Sequence, residues 1–246
     1  MQHSIIAAKS REAACFGAGT LVHTKEGLKP IEQIKVGDLV FSKHESSEGE
    51  RAYKRVTKTY VHEDRQVIMA AVGGMQADGE WRTHEFAVTP EHPFWVQDKG
   101  WKEVGTLIAS VMKPTKFEII ANENPALKIH LPLFVTNSPS IAWMPLYPKD
   151  FNLGGRHIDV RTMESGEKDE FFQFKTVKSA KRAKPEHLFR ATVYNIEVED
   201  FHTYYVGEVG VWVHNKNIAV RPEVGGQRLS AAFVARSLYS SSRRAQ

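Results

Sequence analysis

Apolar and polar residues alternate with a period of two along much of this chain, in short bursts separated by turn signals. In the first hundred residues the pattern predicts strands at 20–23, 39–42, 56–61, 65–72 and 81–88. Between them lie Lys25-Glu26-Gly27, Lys35-Val36-Gly37-Asp38 and Ala77-Asp78-Gly79, the last a hairpin signal. Residues 43–52 are polar and read as a loop. Strand spacings of roughly 8–12 residues mark an all-β fold. From about 110 to 185 the rhythm is lost among Pro114, Pro125, Pro132, Pro139, Pro145 and Pro148, so this stretch reads as an irregular insertion. Within it Phe171-Phe172-Gln173-Phe174-Lys175 resumes a strand, and 178–184 is a basic, helix-compatible run best read as a solvated face. Alternation returns at 191–198 and 203–206. A Gly207-Glu208-Val209-Gly210 hairpin follows, and Val211-Trp212-Val213 then delivers His214-Asn215 to the strand's end.

Composition narrows this picture. The 246 residues are 41% hydrophobic and 25% charged, which suits one large folded domain or a domain with appendages. No apolar run reaches a membrane-spanning length, and the short apolar patch at Ile5-Ile6-Ala7-Ala8 lacks the form of a signal peptide. The chain is therefore expected in the cytoplasm as expressed, or exported as part of a larger protein. Cys15 is the single cysteine, which excludes an internal disulfide framework and a multi-cysteine zinc site. It opens the first strand-like segment, an unusual place for a buried small hydrophobe. Beyond Asn215 there are six Lys or Arg against one Glu, so the basic character belongs to the tail and the body is close to neutral. Residues 229–238 can form about three helical turns, too little for a domain alone.

Two stretches carry candidate chemistry. The Asn215 carboxamide nitrogen can attack its own backbone carbonyl and cleave the bond to Lys216, with His214 as proton donor; the plain alternative is a turn asparagine. Thr89-Pro90-Glu91-His92-Pro93 fences a histidine between prolines, where the backbone is narrowly fixed; the plain alternative is a structural turn histidine. The insertion at about 110–185 has no nucleotide-binding Gly-rich loop, no His-Glu-x-x-His and no paired-acid nuclease pattern.

Taken in order, Cys15, Thr89-Pro90-Glu91-His92, Val193-Tyr194-Asn195-Ile196-Glu197-Val198 with His202, and Val213-His214-Asn215 resemble the ordered motifs of the Hint (hedgehog/intein) superfamily. Ala18-Gly19-Thr20-Leu21-Val22 and Ile31-Glu32-Gln33-Ile34-Lys35-Val36-Gly37-Asp38 add to the likeness, which is nearest to the pretoxin Hint domain of bacterial polymorphic toxins. It covers residues 15 to about 108 and 186–215. The resemblance implies a horseshoe-like β-fold with a pseudo-two-fold arrangement spanning 15–215, an N-terminal flank at 1–14 and a C-terminal flank at 216–246. It implies a thioester at Ala14–Cys15 and Asn cyclisation at Asn215–Lys216, with Thr89 and His92 holding and protonating the first amide. His202 and His214 would assist the second cleavage, and Asn195 would orient groups. No cofactor or metal is implied.

Two departures matter. Lys216 stands where splicing inteins need Cys, Ser or Thr, so cleavage is expected rather than splicing. Asn195 stands where many inteins carry an acid or Cys, and a carboxamide cannot take a proton, which puts coupling of the two ends in question. The domain would act once, in cis, on its own flanking segments, releasing a C-terminal toxin segment during delivery. Two other readings stay open at this point: an inactive Hint remnant at a displaced toxin tip, and a nucleic-acid-binding β-domain using the basic tail, which the body's lack of a basic–aromatic stripe disfavours.

Overall fold

The computed structural model describes residues 14–75, 79–107, 127–145, 154–162, 165–169 and 184–215. Among these residues the fold is all-β. The strands are β1 Phe16–Gly17, β2 Leu21–Thr24, β3 Gly27–Pro30, β4 Leu39–Ser42, β5 Ala52–Gln66, β6 Ile68–Met75, β7 Trp81–Val88, β8 Pro93–Val96 and β9 Gly100–Glu103. They continue as β10 Leu127–Pro132, β11 Ile141–Pro145, β12 Gly155–Asp159, β13 Ser165–Asp169, β14 Arg190–Val198, β15 Thr203–Val206 and β16 Val211–His214. Thirteen strands form one antiparallel sheet in the order β10-β6-β7-β1-β14-β5-β4-β2-β15-β16-β8-β9, with β3 on β2, and β11-β12-β13 form a second. Among the described residues no helix is long and apolar enough to cross a membrane.

Period-two alternation decides which face each strand buries. In β2 and β4 every second residue is buried, whereas β15 and β16 are buried throughout, as strands covered on both faces must be. The long strand β5 departs from expectation: it runs unbroken where the sequence pattern predicts a strand stopping at 61 and another starting at 65. Main-chain partners explain the difference. β4 pairs with its start and β14 with the remainder, so the polar residues near Glu63 do not end it. The interruption survives as a register shift opposite Ala191/Val193, with Asp64 at φ 52.

Two apolar clusters result. The main one holds Phe16, Val22, Val40, Phe86, Phe94, Ile196, Tyr204 and Val213. The second holds Cys15, Val67, Met69, Ala87, Leu133, Ala142, Met144, Ile158, Phe189 and Val193. Cys15 and Phe16 are consecutive, so they face opposite ways and enter different clusters. Strand β1 begins at Phe16 rather than at Cys15, one residue later than the sequence places it.

The insertion is more regular than its prolines suggest. Pro132 and Pro145 stand at strand ends, where the missing N–H matters least. β10 extends the large sheet on β6, and β11-β12-β13 build the second sheet, with the Trp143 ring covering Gly155 at a point where a Cβ would meet it at 2.2 Å. The second sheet is fastened to the first in two ways. Arg156 donates to both Glu85 carboxylate oxygens at 2.8 and 3.1 Å, and the Arg161 carbonyl lies where a Cβ on Gly19 would stand. Gly19 has φ 81, so both its conformation and its contact exclude a side chain. The predicted features at 5–8, 77–78, 171–175, 178–183 and 229–238 lie outside the described residues.

Candidate active site

Strand pairing brings the two ends of the predicted domain together. β1 is sandwiched between β14 (Phe16 opposite Tyr194) and β7 (Phe16 opposite Val88), which places Ala14 and Cys15 beside Asn195 on one flank and Thr89 on the other. β15 and β16 pair with Thr203 opposite His214, so the end of β16 returns to the same region. Asn195 stands between the two ends. Its Nδ2 donates to the Ala14 carbonyl oxygen and to the Asn215 carbonyl oxygen, both at 2.7 Å. Its Oδ1 accepts from the Tyr204 hydroxyl at 2.9 Å and from the Ile196 N–H at 2.8 Å. All four hydrogen-bonding positions of this carboxamide are thus filled, and the two donors to Oδ1 leave the amide one orientation.

At the N-terminal half, Thr89 Oγ1 accepts from the Cys15 N–H at 3.0 Å, and the Thr89 N–H donates to the Cys15 carbonyl at 3.0 Å. The prolines and a turn place His92: its N–H donates to the Thr89 carbonyl, and its carbonyl accepts from Val104. The His92 ring is fully buried, 4.1 Å from the Phe16 ring centre, and neither ring nitrogen has a hydrogen-bond partner of good geometry among the described residues. Burial above all, with the nearby His214 adding to it and the Cys15 backbone offsetting part, pulls its pKa down to about 3. Burial likewise pushes the Cys15 thiol up to about 12, with Arg65 lowering and Glu91 raising it. At rest both groups are neutral, with the proton on sulfur.

At the C-terminal half, the Asn215 N–H donates to the His202 carbonyl at 2.9 Å, which fixes the backbone of the last described residue. The Asn215 carboxamide is buried, and neither its Nδ2 nor its Oδ1 has a hydrogen-bond partner among the described residues. A buried carboxamide left in this way costs about 1–3 kcal/mol. His214 Nε2 lies 2.7 Å from Glu45 Oε2, and Trp101 meets the His214 ring edge-to-face at 5.0 Å. His202 adopts φ 56, and its Nδ1 lies 2.7 Å from Glu197 Oε1.

All seven residues singled out in the sequence therefore lie on segments that converge: Cys15, Thr89, Asn195 and Asn215 through direct hydrogen bonds, His92 and His214 beside them, and His202 through its carbonyl. Tyr204 and Glu45 were not legible in advance. Tyr204 reads as one more apolar strand position, and Glu45 as one of several acids in a polar loop. Among the described residues no group of three or more His, Cys, Asp or Glu side chains is arranged to hold a metal ion.

Comparison with known proteins gives three findings. Residues 21–113 match the family model of the pretoxin HINT domain. A search of curated proteins returns no match. Among solved structures, a bacterial intein-like domain from Clostridium thermocellum is 27% identical over 82% of this chain and 98% of its own, with a TM-score of 0.44. A DnaB intein from Synechocystis sp. PCC 6803 is 10% identical over 83% of this chain and 99% of its own, at 0.42. The matched stretch 21–113 holds Thr89 and His92, so the part of the chain that carries the N-terminal half of the site is similar to the pretoxin HINT domain.

Proposed function

We propose that this chain is a self-cleaving domain that breaks the Asn215–Lys216 bond by cyclisation of Asn215 and holds a second, slower site at Ala14–Cys15. One observation supports this above the rest: the Asn195 carboxamide donates to both the Ala14 and the Asn215 carbonyl oxygens at 2.7 Å. Attack at either carbonyl carbon puts negative charge on an oxygen that already faces a fixed N–H donor, which is what stabilises a tetrahedral intermediate.

At the C-terminal site Asn215 Nδ2 bonds to the Asn215 carbonyl carbon and gives up a proton. The bond to the Lys216 nitrogen breaks, and that nitrogen takes a proton from His214, which is restored by the one released. The products are a succinimide on 1–215 and a free amine on 216–246. At the N-terminal site Cys15 Sγ bonds to the Ala14 carbon, the C–N bond breaks, and the thiol proton ends on the Cys15 nitrogen, giving a thioester. Neutral His92 is placed to pass that proton, and Thr89 holds the amide. Water or an external thiol then releases 1–14. Lys216 offers no hydroxyl or thiol to receive the acyl group, so the flanks are cleaved rather than joined. The pretoxin match supports reading 216–246 as the front of a released cargo, with delivery machinery as partner.

Purified chain followed by mass spectrometry tests this. Wild type should release 216–246 and leave a 1–215 product lighter by one water than simple hydrolysis gives, while Asn215→Ala should stay at full length. Appearance of 216–246 from Asn215→Ala overturns the proposal. A second reading, an inactive scaffold, draws support from the neutral resting state of Cys15 and His92; a wild-type chain that stays intact with and without reductant would favour it.

A further inference from the structure

The loop between β4 and β5 belongs to neither terminus of the domain, yet it reaches the C-terminal half-site. Its first residues are tied to β15: Ser42 Oγ donates to the buried Thr203 carbonyl at 2.7 Å, and Thr203 Oγ1 donates to the Lys43 carbonyl. Trp101 on β9 pins the next turn, donating Nε1–H to the Glu45 carbonyl at 3.0 Å. The same indole packs edge-to-face on His214. With backbone and neighbour both fixed, the Glu45 carboxylate meets His214 Nε2 at 2.7 Å across 169 residues of sequence. His214 is almost fully buried there, and Glu45 is half exposed.

We infer that Glu45 is a positioning residue of the C-terminal half-site: its carboxylate holds the Nε2–H of His214, so that the proton for the departing Lys216 nitrogen leaves from Nδ1. A carboxylate on one ring nitrogen fixes which tautomer remains after the other nitrogen has given its proton, and it favours the doubly protonated ring beforehand. Nδ1 is the second ring nitrogen of His214 and the one nearer its own backbone. Charged or titratable groups facing it among the described residues include Glu45 from the loop and His92 from the turn before β8, with Lys43 over the neighbouring Trp212 ring at 5.1 Å. Positive charge on His92 would oppose protonation of His214, and burial keeps His92 neutral, which leaves Glu45 as the stronger influence. The inference rests on the cleavage reading for its purpose but not for its test.

In the full chain carrying Asn215→Ala, the His214 ring is titrated by proton–nitrogen NMR with Glu45 and with Glu45→Gln, Glu45→Asp and Glu45→Ala. The Gln amide oxygen still accepts from Nε2–H, so Glu45→Gln should keep the tautomer while moving the His214 midpoint to lower pH. Glu45→Ala should lose both effects, and Glu45→Asp should recover part of them. In chains that retain Asn215, Glu45→Gln should slow release of 216–246 about tenfold. That is less than the 10²–10⁴ of a positioned acid, because solvent screens a half-exposed carboxylate. The fall in rate with rising pH should begin at lower pH than in wild type; a loss uniform across pH would mark a structural role only. An unchanged His214 midpoint in Glu45→Gln, or an Nδ1–H tautomer with Glu45 present, overturns the inference. A wild-type chain that never cleaves overturns the cleavage reading instead and leaves the NMR result to decide on Glu45.

Discussion

His92 is packed against Phe16 and Phe94 with no exposed surface, so the ring is kept neutral well below the usual histidine range, down to about 3. The sign of the consequence follows from proton counting. Between pH 6.5 and about 3 the unfolded chain binds a proton at this residue and the folded chain does not, so this contribution to stability is present above pH 6.5 and lost as pH falls. At about pH 4.5 the loss from His92 should be roughly 2–3 kcal/mol. Urea midpoints measured at about pH 7.5 and 4.5 should therefore fall together less in His92→Leu than in wild type; equal falls in the two would contradict the burial that assigns His92 its neutral state. The histidine itself was legible in the sequence from its proline fence. Its protonation state was not, because that depends on Phe16 and Phe94 folding over it.

The insertion strands, by contrast, act as an element. Leu133, Ala142, Met144 and Ile158 share an apolar cluster with Cys15, and the Arg156–Glu85 pair and the Gly19–Arg161 contact hold that cluster closed. The thiol is thereby kept out of water, and since the thiolate is the reactive form, alkylation should be very slow near neutrality. Truncating a buried isoleucine costs about 2–5 kcal/mol and leaves a cavity. Ile158→Ala should accordingly speed iodoacetamide labelling of Cys15, followed by mass, in a chain whose far-ultraviolet dichroism still reports the β-fold. Labelling of the intact wild type at the rate of a free thiol would sink this account of the insertion. Proline content hid these strands, since prolines at strand ends look in sequence like prolines that forbid strands.

Across the whole molecule the Ala14 and Asn215 carbonyls are joined by one side chain, that of Asn195. Removing a donor to a developing oxyanion costs about 10²–10³ in rate. Asn195→Ala should therefore slow both release of 216–246 and thiol-induced release of 1–14. A variant slowed at one end alone would show that the shared donation is not used in both reactions. Asn195 cannot carry a proton between the ends, but both carbonyls depend on the position of its one amide. Tyr204 and the Ile196 N–H hold that amide still.

Strand periodicity, turn chemistry and the order of Cys15, Thr89, His92, Asn195, His214 and Asn215 are local properties, and the sequence determined them directly: an all-β chain with candidate site residues near the two ends of its patterned part. Tertiary structure alone decided that Asn195 meets both carbonyls, that Glu45 reaches His214, that β5 runs unbroken and that part of the insertion buries Cys15. Each of these depends on contacts between residues far apart in the chain, or on the removal of water from a group. Neither leaves a periodic trace in the residues that take part.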